Sequence, residues 1–197
     1  MTNFWDARFA VEEYVYGTEP NSFFKQEIEK LPAGKILMPG EGEGRNAVFA
    51  ATLGWDVTAF DSSIEGKKKA EKLAESKNVQ INYLINNYEN IQLPENDFDC
   101  IGLVFTHVPL KKRREYHRKY LSSLKPGGHL IMECYSKEQI HNDTGGPRDI
   151  DMLFSEEELH TDFESCSKLS IVKEEIYHEE GQFHVGNASV IRIVAEK

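Results

Sequence analysis

Three alternating glycines stand between a short apolar segment and a segment of helical composition. Gly40, Gly42 and Gly44 lie in ILMPGEGEGRNAVFAA, residues 36–51. Glycine lets the backbone turn sharply and approach a ligand without interference from a Cβ atom. Free N–H groups at the start of the following helix favour an anionic group, such as a carboxylate or phosphate. The pattern therefore predicts a loop that binds the charged part of a cofactor.

An acidic residue at a suitable distance strengthens this interpretation. Asp61 follows a second apolar segment, 19 residues beyond Gly42. A carboxylate there can accept hydrogen bonds from both ribose hydroxyls of a nucleoside cofactor, so we expect Asp61 and the adjoining Ser62 to bind a ribose. Two cofactor classes fit. Gly42, Gly44 and Ala47 satisfy the dinucleotide fingerprint, whereas the alternating glycines also resemble the S-adenosylmethionine (SAM) loop of class I methyltransferases.

The elements that must position these residues alternate between strand and helix. Strands are expected at 35–38, 57–60, 81–85, 98–105, 129–135, 169–178 and 183–195, and helices at 47–53, 63–77, 111–124 and 155–163. Such alternation predicts a parallel sheet with helices on both faces. The last two strands are joined only by residues 179–182, too short for a parallel crossover. The expected fold is α/β: a doubly wound, mostly parallel seven-stranded sheet with an antiparallel C-terminal hairpin.

Two segments fall outside this alternation. Residues 3–31 read as helical, with a break at Pro20 and with Asn21 as a helix N-cap, which predicts an N-terminal helical cap over residues 1–34. Residues 136–154 form a polar connection that is long for a compact domain, and such loops often cover functional sites. We therefore expect one domain over residues 1–197, with a cap and a lid loop. A flexible surface insert is the alternative interpretation of the lid.

Later segments decide between the two cofactor classes. Residues 120–135, YLSSLKPGGHLIMECY, resemble the helix, Lys-Pro-Gly-Gly turn and fifth strand of class I methyltransferases. Residues 87–105 resemble the stretch that leads into that superfamily's fourth strand. This resemblance implies that Asn87 meets the adenine amino group of SAM and that Tyr88 flanks the adenine ring. Phe105, at the end of the fourth strand, is expected to lie against the cofactor.

Within that superfamily the chain is similar to the small tellurite-resistance and thiopurine methyltransferases over nearly its whole length. The similarity rests on FWDARF (4–9), YVYGTEPN (14–21) and the glycine-rich loop running into Gly-Arg-Asn. It implies methyl transfer from SAM to a small molecule by in-line displacement. The family often has an acid where this chain has Met38, and Cys where it has Glu41. We therefore hypothesise that Glu41 supplies the charge beside the cofactor's amino group.

Candidate substrate-binding residues lie at the expected carboxyl edge of the sheet and in the two covering segments. His107 follows the fourth strand and is suited to act as a general base for an amine or hydroxyl acceptor, whereas a thiolate would need little such help. Packing against Pro109 is an equally open role. Arg45 could bind the methionine carboxylate of SAM or an anionic substrate. The remaining candidates for the pocket are Trp5, Tyr14, Tyr16, Tyr135, Arg148 and His184; ordinary packing stays open for the aromatic ones.

Charge and cysteine usage restrict the partners. The net charge of −10 disfavours nucleic acid and anionic membranes, and no apolar run approaches the ~18 residues that span a bilayer. The N-terminal residues lack the pattern of a signal peptide. Three cysteines without close spacing favour a reducing cytoplasm over disulfides or a zinc site. An NAD-linked oxidoreductase and a non-catalytic SAM-binding module remain the alternative functions, and the oligomeric state stays open.

The basic segment at residues 111–120 tests the exclusion of nucleic acid. It holds six Lys or Arg residues and one Glu, but the rest of the chain is strongly acidic and repels a polyanion. We expect no sub-micromolar binding of tRNA or rRNA at physiological salt, measured by filter binding. Tight binding that is abolished when Arg113 and Arg114 are neutralised would contradict this interpretation.

Overall fold

The computed structural model describes residues 2–181 and 184–197. Within these residues seven strands form one sheet in the order β3-β2-β1-β4-β5-β7-β6. Their bounds are β1 Lys35–Pro39, β2 Asp56–Asp61, β3 Asn82–Ile85, β4 Phe98–Val104, β5 Leu124–Tyr135, β6 Lys168–Glu180 and β7 His184–Glu196. Strands β1 to β5 are parallel, and β7 pairs antiparallel with β5 and β6. The predicted α/β sheet with its antiparallel hairpin is confirmed.

Helices cover both faces of the sheet. Their bounds are α1 Thr2–Phe9, α2 Ser22–Ile28, α3 Arg45–Thr52, α4 Ile64–Ser76, α5 Leu110–Ser123 and α6 Glu156–Asp162, with short 3-10 helices at Lys137–His141 and Ile150–Met152. Side chains of the N-cap residues cap three of these helices. Asn21 accepts from Phe24 N at α2, as predicted, Ser63 caps α4, and Ser155 forms a capping box with Glu158 at α6.

The core lies on both faces because neighbouring strand residues point in opposite directions. Ile36 and Met38 pack with α2, α3 and α4, whereas Leu37 packs with α5 and α6 on the other face. Strand β4 is largely buried, as its continuous apolar sequence predicts. At Gly102 of β4 a Cβ atom would lie 2.6 Å from the Met38 sulfur, so α2 and β1 pack too closely there for any side chain.

Three sequence expectations are wrong in detail. Residues 10–21 are not helical, so the cap consists of two short helices joined by an irregular segment. Strand β5 begins at Leu124, because its pairing with β4 resumes across the Lys-Pro-Gly-Gly turn with a register shift. The hairpin pairing continues to Glu180 opposite His184, so Glu179 and Glu180 belong to β6 and not to the connection. Phe183, the expected first residue of the last strand, lies outside the described residues.

Two carboxylates, of which Glu43 is buried, attach the N-terminal segment to the rest of the fold. Glu43, in the glycine loop, accepts from Val15 N at 2.8 Å with one oxygen and from Lys69 Nζ at 2.8 Å with the other. Asp6 of α1 accepts from Ser63 Oγ at 2.7 Å and Ile64 N at 2.9 Å at the start of α4. Both contacts hold α1 and the following segment against α4 and the glycine loop.

Glu43→Gln should loosen this attachment. The Glu43 and Lys69 side chains are only 3% and 13% exposed, so the variant leaves a buried ammonium without its counter-charge. We expect a loss of about 1–3 kcal/mol in the free energy of unfolding and faster proteolysis within residues 10–20, measured by urea unfolding and limited digestion.

The matched control for this change is Glu65→Gln. Glu65 also pairs with a lysine of α4, Lys68, but both side chains are exposed, and such pairs contribute little to stability. Equal effects of the two substitutions on unfolding and digestion would show that Glu43 does not attach the N-terminal segment.

Candidate functional site

The glycine loop folds in a way that only glycine allows. Gly40, Gly42 and Gly44 all have positive φ, which side chains other than glycine rarely adopt. A Cβ atom on Gly40 would lie 2.0 Å from Tyr88 Oη, and one on Gly44 would lie 2.4 Å from the Ala70 methyl group. The loop is therefore shaped by a close approach to a tyrosine on one side and to α4 on the other.

Asp61 ends β2 directly beside this loop. Its carboxylate accepts from Gly42 N at 3.2 Å and from Ser63 N at 2.9 Å. Burial raises the pKa of Asp61, while the two N–H donors oppose that rise. Ser62 follows Asp61 in the chain and precedes Ser63, the N-cap residue of α4. The structure thus brings Asp61 and Ser62 together with the glycines at the carboxyl edge of the sheet.

Glu41 takes a position that the sequence did not predict. One of its oxygens accepts from Asn46 N at 2.8 Å and from Ala47 N at 2.7 Å, so its side chain caps α3. The expectation of free N–H groups at the start of this helix is wrong for these two residues, because the loop supplies its own carboxylate. Burial raises the pKa of Glu41 to about 7, against the lowering effect of the two backbone donors.

The predicted adenine-binding residues follow β3. Tyr88 packs edge-on against Phe60, with ring centroids 5.9 Å apart, and its hydroxyl lies against Gly40. Asn87 is exposed, and its side-chain oxygen accepts from Glu89 N and Asn90 N. In this structure the Asn87 amide oxygen is thus engaged in a turn at the same edge of the sheet.

Arg45, at the start of α3, is held by an acid from the C-terminal hairpin. Its guanidinium lies 2.7 Å from Glu180 Oε2 and 3.4 Å from the Tyr16 carbonyl oxygen, and both charged side chains are largely buried. The arginine expected to bind a carboxylate of SAM or substrate is therefore paired with the protein's own carboxylate. Sequence reasoning missed Glu180 because it was placed in the hairpin connection.

A group of aromatic and imidazole rings, here called the histidine cluster, lies where β4, β5 and the hairpin meet. Its members are Tyr16, Phe105, His107, Tyr135, His178 and His184. Phe105 is central, with ring centroids 4.6 Å from Tyr135, 4.9 Å from His184 and 5.5 Å from His178. His107 stacks on Tyr135 at 5.5 Å. Phe105 has φ +51°, a strained conformation for an aromatic residue and one that concentrates at functional sites.

Buried polar atoms in this cluster lack hydrogen-bond partners among the described residues. They are His107 Nε2, Tyr135 Oη, His178 Nε2 and His184 Nδ1. Because buried polar atoms are nearly always paired, and leaving one unpaired costs about 1–3 kcal/mol, four in one cluster point to a ligand-binding site.

The tautomer of His107 is fixed by its surroundings. Nδ1 lies 2.9 Å from the Met152 carbonyl oxygen, which can only accept, so Nδ1 carries the proton and Nε2 is an acceptor. Burial lowers the pKa values of His107 and His178 to about 4 and also lowers that of His184. The imidazoles are therefore neutral at pH 7, and His107 is a weaker base than its sequence position suggested.

The predicted lid lies over the histidine cluster. The Met152 carbonyl group holds His107, and a Cβ atom on Gly146 would lie 2.8 Å from the Tyr135 ring. Thr144 Oγ1 donates to the Asn187 carbonyl oxygen at 2.6 Å, which ties the same segment to β7. The lid in this structure is thus attached both to the cluster and to the hairpin.

Three predicted pocket residues lie elsewhere. Trp5 stacks on Phe9 and is 38% exposed. Tyr14 donates its hydroxyl to the Lys69 carbonyl oxygen on α4. Arg148 is exposed and pairs with Asp143 within the lid. Each of the three is held by a local partner, so the structure does not bring them together in one pocket.

His178, by contrast, belongs to the cluster although the sequence interpretation set it aside. It is only 3% exposed, and it lies diagonally across the hairpin from His184. The signal that could have found it is the motif HEEGQFH, residues 178–184, in which two histidines flank a tight hairpin turn at the expected ligand edge.

Known proteins share this arrangement of loop and sheet. Residues 36–128 match a family model described as a methyltransferase domain. A glycine/sarcosine N-methyltransferase from Halorhodospira halochloris is 30% identical over 138 residues, covering 66% of this chain and 47% of that protein. TehB from Haemophilus influenzae superposes with TM-score 0.71 at 16% identity, over 100% of this chain and 66% of that one. Phosphoethanolamine N-methyltransferase 2 from Haemonchus contortus, solved with phosphomonomethylethanolamine and S-adenosylhomocysteine, gives TM-score 0.72 at 16% identity, over 98% and 58%.

The segment that matches the methyltransferase-domain model holds the glycine loop, Asp61 and strands β1 to β4. The predicted resemblance to class I SAM-dependent methyltransferases is confirmed, and the superposition on TehB shows that the two chains share a fold. The chain spans about half the length of the curated relative it matches. In residues 2–181 and 184–197 no helix has the length and apolar character required to cross a membrane, and no group of His, Cys, Asp or Glu side chains could hold a metal ion.

Glu41→Gln tests the burial of the capping carboxylate. The amide keeps an oxygen that can accept from Asn46 and Ala47 but does not titrate. In the wild-type protein the folded state retains a proton that the unfolded state releases between about pH 4.5 and 7. The stability contributed by this group is therefore fully present at low pH and is lost as the pH rises through that window.

We expect the free energy of unfolding of the wild-type protein, relative to Glu41→Gln, to fall by about 3 kcal/mol between pH 5 and pH 8, measured by urea unfolding. A difference between the two proteins that does not change with pH would mean that Glu41 is ionised throughout.

Proposed function

We propose that this protein transfers a methyl group from SAM to a small-molecule acceptor. The observation that carries the proposal is the glycine loop with Asp61 at the carboxyl edge of β1 and β2, next to the histidine cluster at the ends of β4 and β5. Ligands of open α/β sheets bind at this edge. A cofactor site and an acceptor site thus adjoin on one side of the sheet.

The chain's residues fit SAM by their chemistry. Gly40, Gly42 and Gly44 would line the methionine part, Asp61 with Ser62 would accept from the ribose hydroxyls, and the region of Tyr88 and Asn87 would take the adenine. Phe105 would lie against the cofactor from the end of β4, and Glu41 beside its amino group. These roles are consistent with the position of the loop at the carboxyl edge of β1 and with the acceptor oxygens of Asp61 beside it.

Methyl transfer requires the protein mainly to position the acceptor and SAM relative to each other. When bound, SAM supplies an electrophilic methyl carbon; the acceptor's electron pair forms the new bond while the C–S pair leaves with sulfur. Holding the reactants aligned and dry contributes roughly 7–11 kcal/mol to such reactions. The cap at residues 1–34 and the lid at 136–154 would exclude water within a single domain, 1–197. Phe9 of α1 already packs over Gly42.

The comparisons support this function over an NAD-linked oxidoreductase, because the named relatives are methyltransferases. Two of them are N-methyltransferases by name, which supports a small-molecule acceptor here. A non-catalytic SAM-binding module remains the second candidate, and release of S-adenosylhomocysteine distinguishes it. We also infer a cytoplasmic location from the free cysteines, of which Cys100 and Cys134 are buried.

Asp61→Ala should weaken SAM and S-adenosylhomocysteine binding at least tenfold, because hydrogen bonds to a charged group contribute roughly 1.5–3 kcal/mol. Calorimetry measures the affinity, with NAD as the competing ligand. Asp99→Ala is the control, since Asp99 is a half-buried acid at the opposite, amino edge of β4. Unchanged SAM affinity in Asp61→Ala, or tighter binding of NAD than of SAM, would refute the cofactor assignment.

A further inference from the structure

We propose that the histidine cluster binds the free-base form of a small amine, which donates its N–H groups to His107 Nε2 and to a second acceptor of the cluster. The inference rests on the proposed function, since it names the class of acceptor for that site. It is carried by four buried polar atoms that have no hydrogen-bond partner in residues 2–181 and 184–197, and by the aromatic rings around them, not by the cofactor site.

The protonation of His107 requires a ligand that donates a hydrogen bond. Its Nδ1–H is given to the Met152 carbonyl group, so the buried Nε2 presents a lone pair towards the cluster. A fully deprotonated oxyanion has no proton for this atom, and a singly protonated one such as hydrogentellurite brings a negative charge that the neutral imidazoles do not compensate. A thiolate fails in the same way. An amine or a hydroxyl group satisfies it.

The number of unpartnered atoms favours an amine over a hydroxyl group. Tyr135 Oη, His178 Nε2 and His184 Nδ1 face the same cluster, and these residues are 1%, 3% and 6% exposed. A primary amine brings two N–H donors and one lone pair, whereas an alcohol brings one donor. Only the amine can donate both to His107 and to a second acceptor of the cluster while its own lone pair stays free for a methyl group.

The charges around the cluster favour the uncharged form of that amine. Arg45 from α3 pairs with Glu180 of β6, which also lies 3.8 Å from His184 Nδ1. Arg8 of α1 donates to Tyr16 Oη at 3.5 Å, and Glu133 of β5 pairs with Arg192. Among the described residues, each of these carboxylates thus already faces a guanidinium and is not left to pair with an ammonium ion. A charge moved into this buried cluster without a counter-charge is costly.

Binding can be measured without turnover. The protein saturated with S-adenosylhomocysteine is titrated with propylamine, propanol, propanethiol and tellurite, while the ring protons of the histidines are followed by NMR. We expect propylamine to shift the His107, His178 and His184 signals and to leave the exposed His141 unchanged. Its apparent affinity should rise about tenfold per pH unit below its own pKa, because only the free base binds.

Paired variants separate binding from folding. Tyr135 and Tyr120 both bury a hydroxyl group that lacks a partner among the described residues, but Tyr120 lies in the core with α5. Tyr135→Phe should weaken propylamine binding about three- to tenfold, and Tyr120→Phe should leave it unchanged. Both are expected to fold, since each removes one unsatisfied oxygen.

Steady-state turnover tests the role of His107 independently of the binding measurements. The free base already carries the attacking electron pair, so no proton is removed before methyl transfer, and the methylated product leaves as an ammonium ion or passes its proton to water. With amine acceptors His107→Ala should therefore lower kcat/KM about tenfold, through lost orientation of the amine, while leaving SAM affinity nearly intact, and His141→Ala should have no effect. Preference for tellurite or propanethiol, or affinity for the amine that is independent of pH, would overturn the inference while SAM binding stands. Loss of SAM binding by the wild-type protein would instead remove the proposed function.

Discussion

Two buried glutamates alternate with the three glycines of the loop, and the site depends on where their carboxylates go. Glu41 turns inward and caps α3, whereas Glu43 turns outward and holds Lys69 and the backbone of the N-terminal segment. The three glycines adopt left-handed backbone conformations, and these turns let the side chains of Glu41 and Glu43 point in opposite directions. The glycine loop therefore holds both α3 and the N-terminal segment in place.

A second polar network joins the N-terminal segment to β5 and to the C-terminal hairpin. Asn21 caps α2 and also donates to Glu133 at 2.7 Å and to Glu180 at 3.2 Å. Glu180 binds Arg45, while Glu133 binds Arg192 of β7. Buried charges of this kind are costly unless every partner is present, so the network requires the N-terminal segment, α3, β5 and the hairpin to assemble together.

The histidine cluster is a consequence of that assembly. The hairpin brings His178 and His184 to Phe105, and the lid fixes the tautomer of His107 through Met152. The basic segment of α5 has a different role. Arg113 is buried and pairs with Asp162 of α6 at 3.1 Å, which also accepts from His117. Part of the positive charge seen in the sequence is therefore internal and serves to hold α6.

The sequence alone determined the sheet, its hairpin, the caps at Asn21 and Ser155, and the glycine loop with Asp61, because these follow from apolar periodicity, turn residues and short spacings. It did not determine which buried charges pair. Arg45 and Glu180 are 135 residues apart, and Asn21 and Glu133 are 112 apart, so only the tertiary structure could place an acid beside that arginine. Likewise His178 was indistinguishable from a surface residue until the hairpin proved longer than predicted. Long-range pairing leaves no local pattern in the chain, since burial and charge compensation arise only once distant strands meet.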